Sequence, residues 1–354
     1  MNTKNYTFID YTKLIMAICV ISIHTHPLEN CHIPFINSLY MTIVPCAVPF
    51  FFLVSGFLIG KKLDLENIDK LEHLTLLKKY LMKFIKLYIV WSVLYLPLAI
   101  LEYIDTSSNF IVSFFKYIRN LLFIGEHYNS WPLWYLLSTI YSILFIYIFC
   151  KKKVNKYFLL ISSLLLFITG AIITSLFEAQ ANLELTVEKN NLLIIWRGIF
   201  GGTGRLLYGP FYMVSGLFLH KKTLNANNLS FLIFIMEFIF GFWIAFLSNG
   251  LINILSQALF TNGLIGILAI LEEKNIIFKK AKIQEVSWKY RKISIVIYFM
   301  HMWIFTIFSK LRWWNEPEVR YGMETFIVTT SLSVILAIIV IKLNNNKINK
   351  LFMM

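Results

Sequence analysis

Charge is scarce in this chain. Only 15% of its 354 residues are Asp, Glu, Lys or Arg, where a soluble domain of that length carries roughly a quarter. No polar stretch is long enough to build a soluble domain. Length alone would admit two domains, but a single membrane-embedded domain over 1–354 is expected, with no soluble domain. Cysteine is scarce as well. Cys19, Cys31, Cys46 and Cys150 lack metal or redox spacing and read as packing residues, so no metal site is expected. There is no internal repeat and no low-complexity tract, and the inverted repeat of many secondary transporters is not visible. Acidic residues are outnumbered, 19 against 33 Lys plus Arg, for a net charge of +14. The cations sit in short clusters between apolar runs, which suits anionic lipid and membrane orientation. Nucleic acid is not an expected partner.

What the chain has is apolar length. It is 58% hydrophobic, with a mean hydropathy of +0.68. Runs long enough to cross a bilayer, roughly 17 to 25 residues, recur at 8–28, 37–60, 81–101, 131–150, 157–177, 205–220, 230–248, 251–271, 293–309 and 323–342. The expected fold is all-α, a polytopic transmembrane bundle of about ten helices. The first run contains Asp10, Lys13 and His24 and lacks a small-residue cleavage site, so it does not read as a signal peptide. Lys61, Lys62, Lys78, Lys79, Lys151, Lys152, Lys153, Lys221, Lys222 and the cations of 272–292 fall on one side of this topology. The other side has fewer, among them Lys116, Arg119, Lys189, Arg197, Arg205 and Arg320. The bias places both termini in the cytoplasm of a multi-pass plasma-membrane protein. On the outer side, 110–122 reads as a helix lying in the membrane interface.

Polar groups inside spans are costly and often functional. Lys13 and His24 are eleven residues apart, three turns plus about 20°, so they share one face of a helix about 16 Å apart along its axis. Asp10 is one turn before Lys13 and can pair with it. The alternative is that Lys13 snorkels to one headgroup layer and His24 to the other. Glu237, well inside the seventh run, must be paired, protonated or beside water.

These residues carry a family resemblance. The stretch from Phe8 through Lys13 to His24 resembles the opening helix of the acyltransferase-3 membrane proteins, whose signature is Arg or Lys followed eleven residues later by His. Val48-Pro49-Phe50-Phe51-Phe52-Leu53-Val54-Ser55-Gly56-Phe57 is similar to the family's second-helix block. Leu76 to Lys86 resembles its basic third-helix start, Pro132 to Leu136 a Trp motif, and Ile297 to His301 a late Tyr-x-x-His block. Some relatives carry a further soluble domain, an esterase-like transferase or a serine racemase. Lysines stand at 13, 83 and 86 where the family usually has arginines, supplying charge without the bidentate fork.

The resemblance implies an O-acyltransferase. It would move an acyl group, acetyl by expectation, from cytoplasmic acetyl-CoA to a hydroxyl of an extracytoplasmic glycan or small acceptor. His24 would be general base or acyl carrier, with Glu237 orienting or charge-balancing it. Lys13, Lys83 and Lys86 would hold the donor's phosphates, although Lys83 and Lys86 equally fit an orientation role. Arg197, Arg205, Trp134 and Tyr135 are the candidate acceptor-binding residues, with a solvated loop and an aromatic belt as the plainer readings of Arg197, Arg205 and Trp134. His301 reads as a packed interfacial histidine and is the one rival to His24. The alternative function is transport of a serine-like solute or a lipid-linked glycan.

Overall fold

The computed structural model describes residues 6–64, 70–105, 109–127, 129–183, 191–224, 227–274, 281–313, 321–343 and 345–352. The sequence-expected cations Lys189, Lys279, Lys280 and Arg320 lie outside them. Helices make up the fold, and the described residues contain no β-strand. In hydrocarbon, each backbone N–H and C=O must be satisfied within its own segment, and uninterrupted helix does this.

In chain order the helices are α1 (Thr7–Thr25), α2 (Pro34–Ile43), α3 (Ala47–Gly60), α4 (Leu71–Asp105), α5 (Phe110–Arg119), α6 (Leu133–Lys151), α7 (Lys156–Leu183), α8 (Asn191–Phe200), α9 (Tyr208–Leu224), α10 (Asn228–Leu247), α11 (Gly250–Glu273), α12 (Ala281–Trp313), α13 (Met323–Leu343) and α14 (Asn346–Leu351). A 3₁₀ turn, Val44–Cys46, joins α2 to α3 at Pro45, which has no N–H to continue the helical ladder. The second span is this broken pair.

Nine described helical segments are long and apolar enough to span. The sequence-expected span 205–220 forms α9 instead, a 17-residue helix led by the 3₁₀ turn Arg205–Leu207. Geometry elsewhere decides that α9 crosses. Along α1 and α12, residue numbers rise together: Tyr11 faces Tyr290, with ring centroids 4.8 Å apart, and His24 faces His301. The two helices are therefore parallel. Parallel neighbours in a membrane need an odd number of crossings between them, and only six of the nine segments lie there. Helices α5 and α8, at ten residues each, reach about 15 Å, half the hydrocarbon thickness. Helix α9 supplies the seventh crossing, and the total is ten.

The described chain sorts into two compact units. The first comprises Met1–Phe51, Lys222–Leu247 and Leu259–Met354, with α1, α12 and α13 packed together at its centre. Helix α2 is tied to α1 where Tyr40 Oη donates to the Ser22 carbonyl at 2.8 Å. Glycines bring α10 and α11 together: a Cβ on Gly241 would lie 2.7 Å from Phe260 Cα, and one on Gly263 2.9 Å from Phe238 Cα. The second unit comprises Phe52–Lys221 and Ser248–Ala258. There α4 packs on α6, and Gly56 of α3 meets the backbone of α9, where a Cβ would lie 2.8 Å from the Met213 carbonyl carbon. Such close approach by small residues stands in for the hydrophobic drive that helices lack inside lipid.

Candidate functional site

One end of α1 carries an ion cluster. Lys13 is buried, and its Nζ lies 3.1 Å from Asp10 Oδ1 one turn earlier, as expected from the spacing. An unpaired ammonium or carboxylate in such a place is prohibitively costly. The other oxygen of Asp10 faces Arg291 Nη1 of α12 at 3.9 Å. Two cations thus share one carboxylate. Arg291 was expected only as a topology-marking cation. Nearby, the Phe8 N–H, one of the helix's unpaired first-turn donors, donates to Glu272 Oε2 at 2.9 Å.

The other end of α1 carries the imidazoles. The helix stops at Thr25 because His26 turns left-handed, at φ 45°, and the Thr25 carbonyl accepts from the Gly322 N–H at 2.8 Å. His26 is thereby swung away, edge-on to Tyr321 with centroids 5.1 Å apart. His24 stays on the helix and stacks on His301 of α12, with centroids 5.4 Å apart and planes 22° from parallel. The α1 face shared by Lys13 and His24 is the one turned to α12.

His301 is fully buried. Its Nδ1 is 3.0 Å from the Ile297 carbonyl oxygen, an acceptor only, so Nδ1 carries the proton and Nε2 the lone pair. That Nε2 is buried and has no hydrogen-bond partner among the described residues. An unsatisfied buried acceptor beside a half-buried histidine is unusual enough to need a reason. No local signal in the sequence marks the pairing: Arg291 and His301 are ten residues apart on one span, about 80° apart round the helix and not on one face.

Glu237 of α10 accepts from Asn262 Nδ2 of α11 at 2.7 Å, beside the Gly241 and Gly263 crossing. Lys83 and Lys86 are both exposed on α4, on one face at a three-residue spacing. Tyr135 is half-buried against Phe52, with centroids 4.5 Å apart, and its hydroxyl shares a 3.1 Å hydrogen bond with Ser55. Arg205 is held at both ends of its guanidinium, by Glu126 at 2.7 Å and over the Trp134 ring at 5.0 Å. Arg197, on α8, lines a cavity of about 790 Å³. Lys13, His24 and Glu237 belong to the first unit. Lys83, Lys86, Trp134, Tyr135, Arg197 and Arg205 belong to the second.

Ten crossings, a buried ion cluster and stacked imidazoles define a polytopic helical membrane protein with ionisable groups inside its spans. The chain belongs to the acyltransferase-3 family, whose model, described as an acyltransferase domain, matches residues 6–342. It is similar to an amino-acid racemase of Enterococcus faecalis, 25% identical over 239 residues, covering 66% of this chain and 32% of the relative. A second amino-acid racemase of the same organism is 31% identical over 166 residues, covering 46% of this chain and 21% of the relative. The chain thus spans a third or less of these relatives' length. No solved structure matches.

Proposed function

We infer that the chain is a membrane O-acyltransferase. It takes an acyl group from acyl-coenzyme A on the cytoplasmic side and passes it to a hydroxyl of an extracytoplasmic acceptor, a cell-surface glycan in the favoured reading. The observation that carries this is the His24–His301 stack at the far end of a helix whose near end holds a buried ion cluster. Family membership and the lysine asymmetry agree with it. Ten crossings would return both termini to one side, and the lysine bias favours the cytoplasm for it.

Bound acyl-coenzyme A supplies a thioester-activated acyl group and several phosphates. Exposed Lys83 and Lys86 fit those phosphates as point charges, with Lys13 as a further cation on the same side. His24 takes the acceptor's proton or carries the acyl group, with the His301 ring stacked beneath it. Glu237, held by Asn262, orients the site from α10 or balances its charge.

The test is acyl-coenzyme A turnover by the purified protein in nanodiscs. His24→Ala should lower it by roughly a hundred- to ten-thousand-fold, the range of a lost general base, and leave coenzyme A binding intact. His26→Ala should keep most activity. Lys83→Ala and Lys86→Ala should weaken coenzyme A binding more than turnover. Unimpaired turnover in His24→Ala would remove the mechanism, and normal coenzyme A binding in both lysine variants would return them to an orientation role.

A second reading is favoured by the relatives being amino-acid racemases: passage of a serine-like amino acid. Amino-acid counterflow in liposomes together with no thioester turnover would establish it in place of the first.

A further inference from the structure

Helix α5 sorts its side chains by chemistry. Ser113, Lys116 and Asn120 recur at three and four residues and line the cavity, whereas Phe110, Phe114 and Phe115 point outward, Phe110 being 81% exposed. Asn109 caps the helix by accepting from the Ile111 N–H at 2.9 Å, so α5 starts cleanly with no preceding span to extend it. Helix α8 repeats the division, with Leu192 and Ile195 exposed and Arg197 and Gly198 on the cavity. The two are joined where Arg119 Nη1 donates to the Gly198 carbonyl at 3.0 Å and where Phe123 meets Phe200, with centroids 5.9 Å apart. Two short helices with apolar outer faces and polar inner ones are of the kind that suits a membrane interface, and the cavity lies on their polar side.

Its volume, about 790 Å³, is that of a small-molecule site. Lys116, Arg119 and Arg197 line it, and no described carboxylate pairs with them. The one acid on its wall, Glu126, is already bound by Arg205. Trp131 adds an aromatic surface.

The fourth wall is a hydrogen-bond chain with a fixed direction. Arg119 Nε and Nη2 donate to Asn120 Oδ1 at 3.0 and 2.7 Å, which turns the Asn120 amide nitrogen to His127 Nδ1 at 3.1 Å. Nδ1 therefore accepts, the ring proton sits on Nε2, and Nε2 donates to the Tyr103 hydroxyl. That hydroxyl passes its own proton to the Ser113 carbonyl at 3.2 Å. Burial, and then the Arg119 charge, push the His127 pKa down to about 4. The ring stays neutral and the chain intact at physiological pH, so the imidazole adds no charge to the cavity.

We propose that this cavity is the acceptor subsite and that it takes an acidic saccharide, its carboxylate or phosphate held by Lys116, Arg119 and Arg197 and its sugar ring against Trp131. The inference rests on the acyl-transfer reading and names that reading's acceptor class. Charge-assisted hydrogen bonds to an arginine fork hold such anions best, and among the described residues Arg197 and Lys116 have no carboxylate partner.

Arg119 also ties α5 to α8, so Lys116→Gln and Arg197→Gln are the variants of choice. Both residues are exposed and neither holds two helices together. Binding of trigalacturonate, maltotriose phosphate and neutral maltotriose to the nanodisc protein would be measured by microscale thermophoresis, with melting temperature as the folding control. At least one acidic probe should bind ten-fold or more tightly than maltotriose, and each variant should weaken that binding roughly ten-fold. Arg197→Lys should recover part of it. Which acidic probe binds distinguishes a uronate from a phosphorylated sugar. Equal binding of all three probes, no binding of any, or wild-type acid binding in both folded variants would overturn the subsite. Acid binding that depends on Arg197 in a protein with no thioester turnover would keep the subsite and sink the acyl-transfer reading instead.

Discussion

His301 has both ring nitrogens accounted for. The Ile297 carbonyl takes the proton of one and leaves the other as a buried lone pair, while the ring face lies under His24. A side chain so placed acts through its neighbour, as a positioning residue. Replacing it tests two properties separately. His301→Phe keeps a flat ring under His24 but no lone pair, and His301→Ala keeps neither. We expect kcat to fall by roughly ten-fold or more in His301→Phe and further in His301→Ala, with coenzyme A affinity unchanged in both, because the loss is in the transition state and not in ground-state binding. Equal kcat in wild type and both variants would make His301 a space-filling residue. His26 is the natural control, since its left-handed backbone carries it off the helix.

Helix crossings here depend on missing side chains. At Gly56 an added Cβ would lie within 3 Å of three Met213 backbone atoms, which cannot rotate away as a side-chain tip can. The Gly56→Ala change must therefore push α3 and α9 apart. Overpacking of this kind costs about 1–3 kcal/mol, and thermal unfolding in detergent should register it as a lowered melting temperature. Gly202 is the comparison: a Cβ there meets nothing within 4 Å, and Gly202→Ala should melt with the wild type. If Gly56→Ala is equally stable, the approach of α3 to α9 is looser than the geometry requires. Helices α5 and α8 show the opposite economy, exposing aromatic and aliphatic side chains that only a lipid interface accommodates without penalty.

For the whole molecule, the parallel run of α1 and α12 forces the number of crossings. Reporter fusions supply the check. A fluorescent reporter at the C-terminus and at residues 62, 153 and 222 should fold in the cytoplasm, and alkaline phosphatase at residues 129 and 203 should be active outside. An extracytoplasmic C-terminus would remove α9 as a crossing and the cytoplasmic assignment of both ends.

Length and hydropathy were legible from the sequence because a bilayer imposes them residue by residue. A segment either offers some twenty apolar residues or does not cross. That is why the spans, the all-α class, the short amphipathic helix at α5 and the Asp10–Lys13 pair could be read directly. Helical periodicity likewise placed Lys13 and His24 on one face. It could not name what that face meets, because the partners are more than 270 residues away. Only the tertiary structure set His301 beneath His24, put Arg291 on Asp10, gave Asn262 to Glu237, and separated Arg205, held by Glu126 and Trp134, from Arg197 on the open cavity. Those choices are made by close contact between distant segments, and nothing local in the chain encodes them.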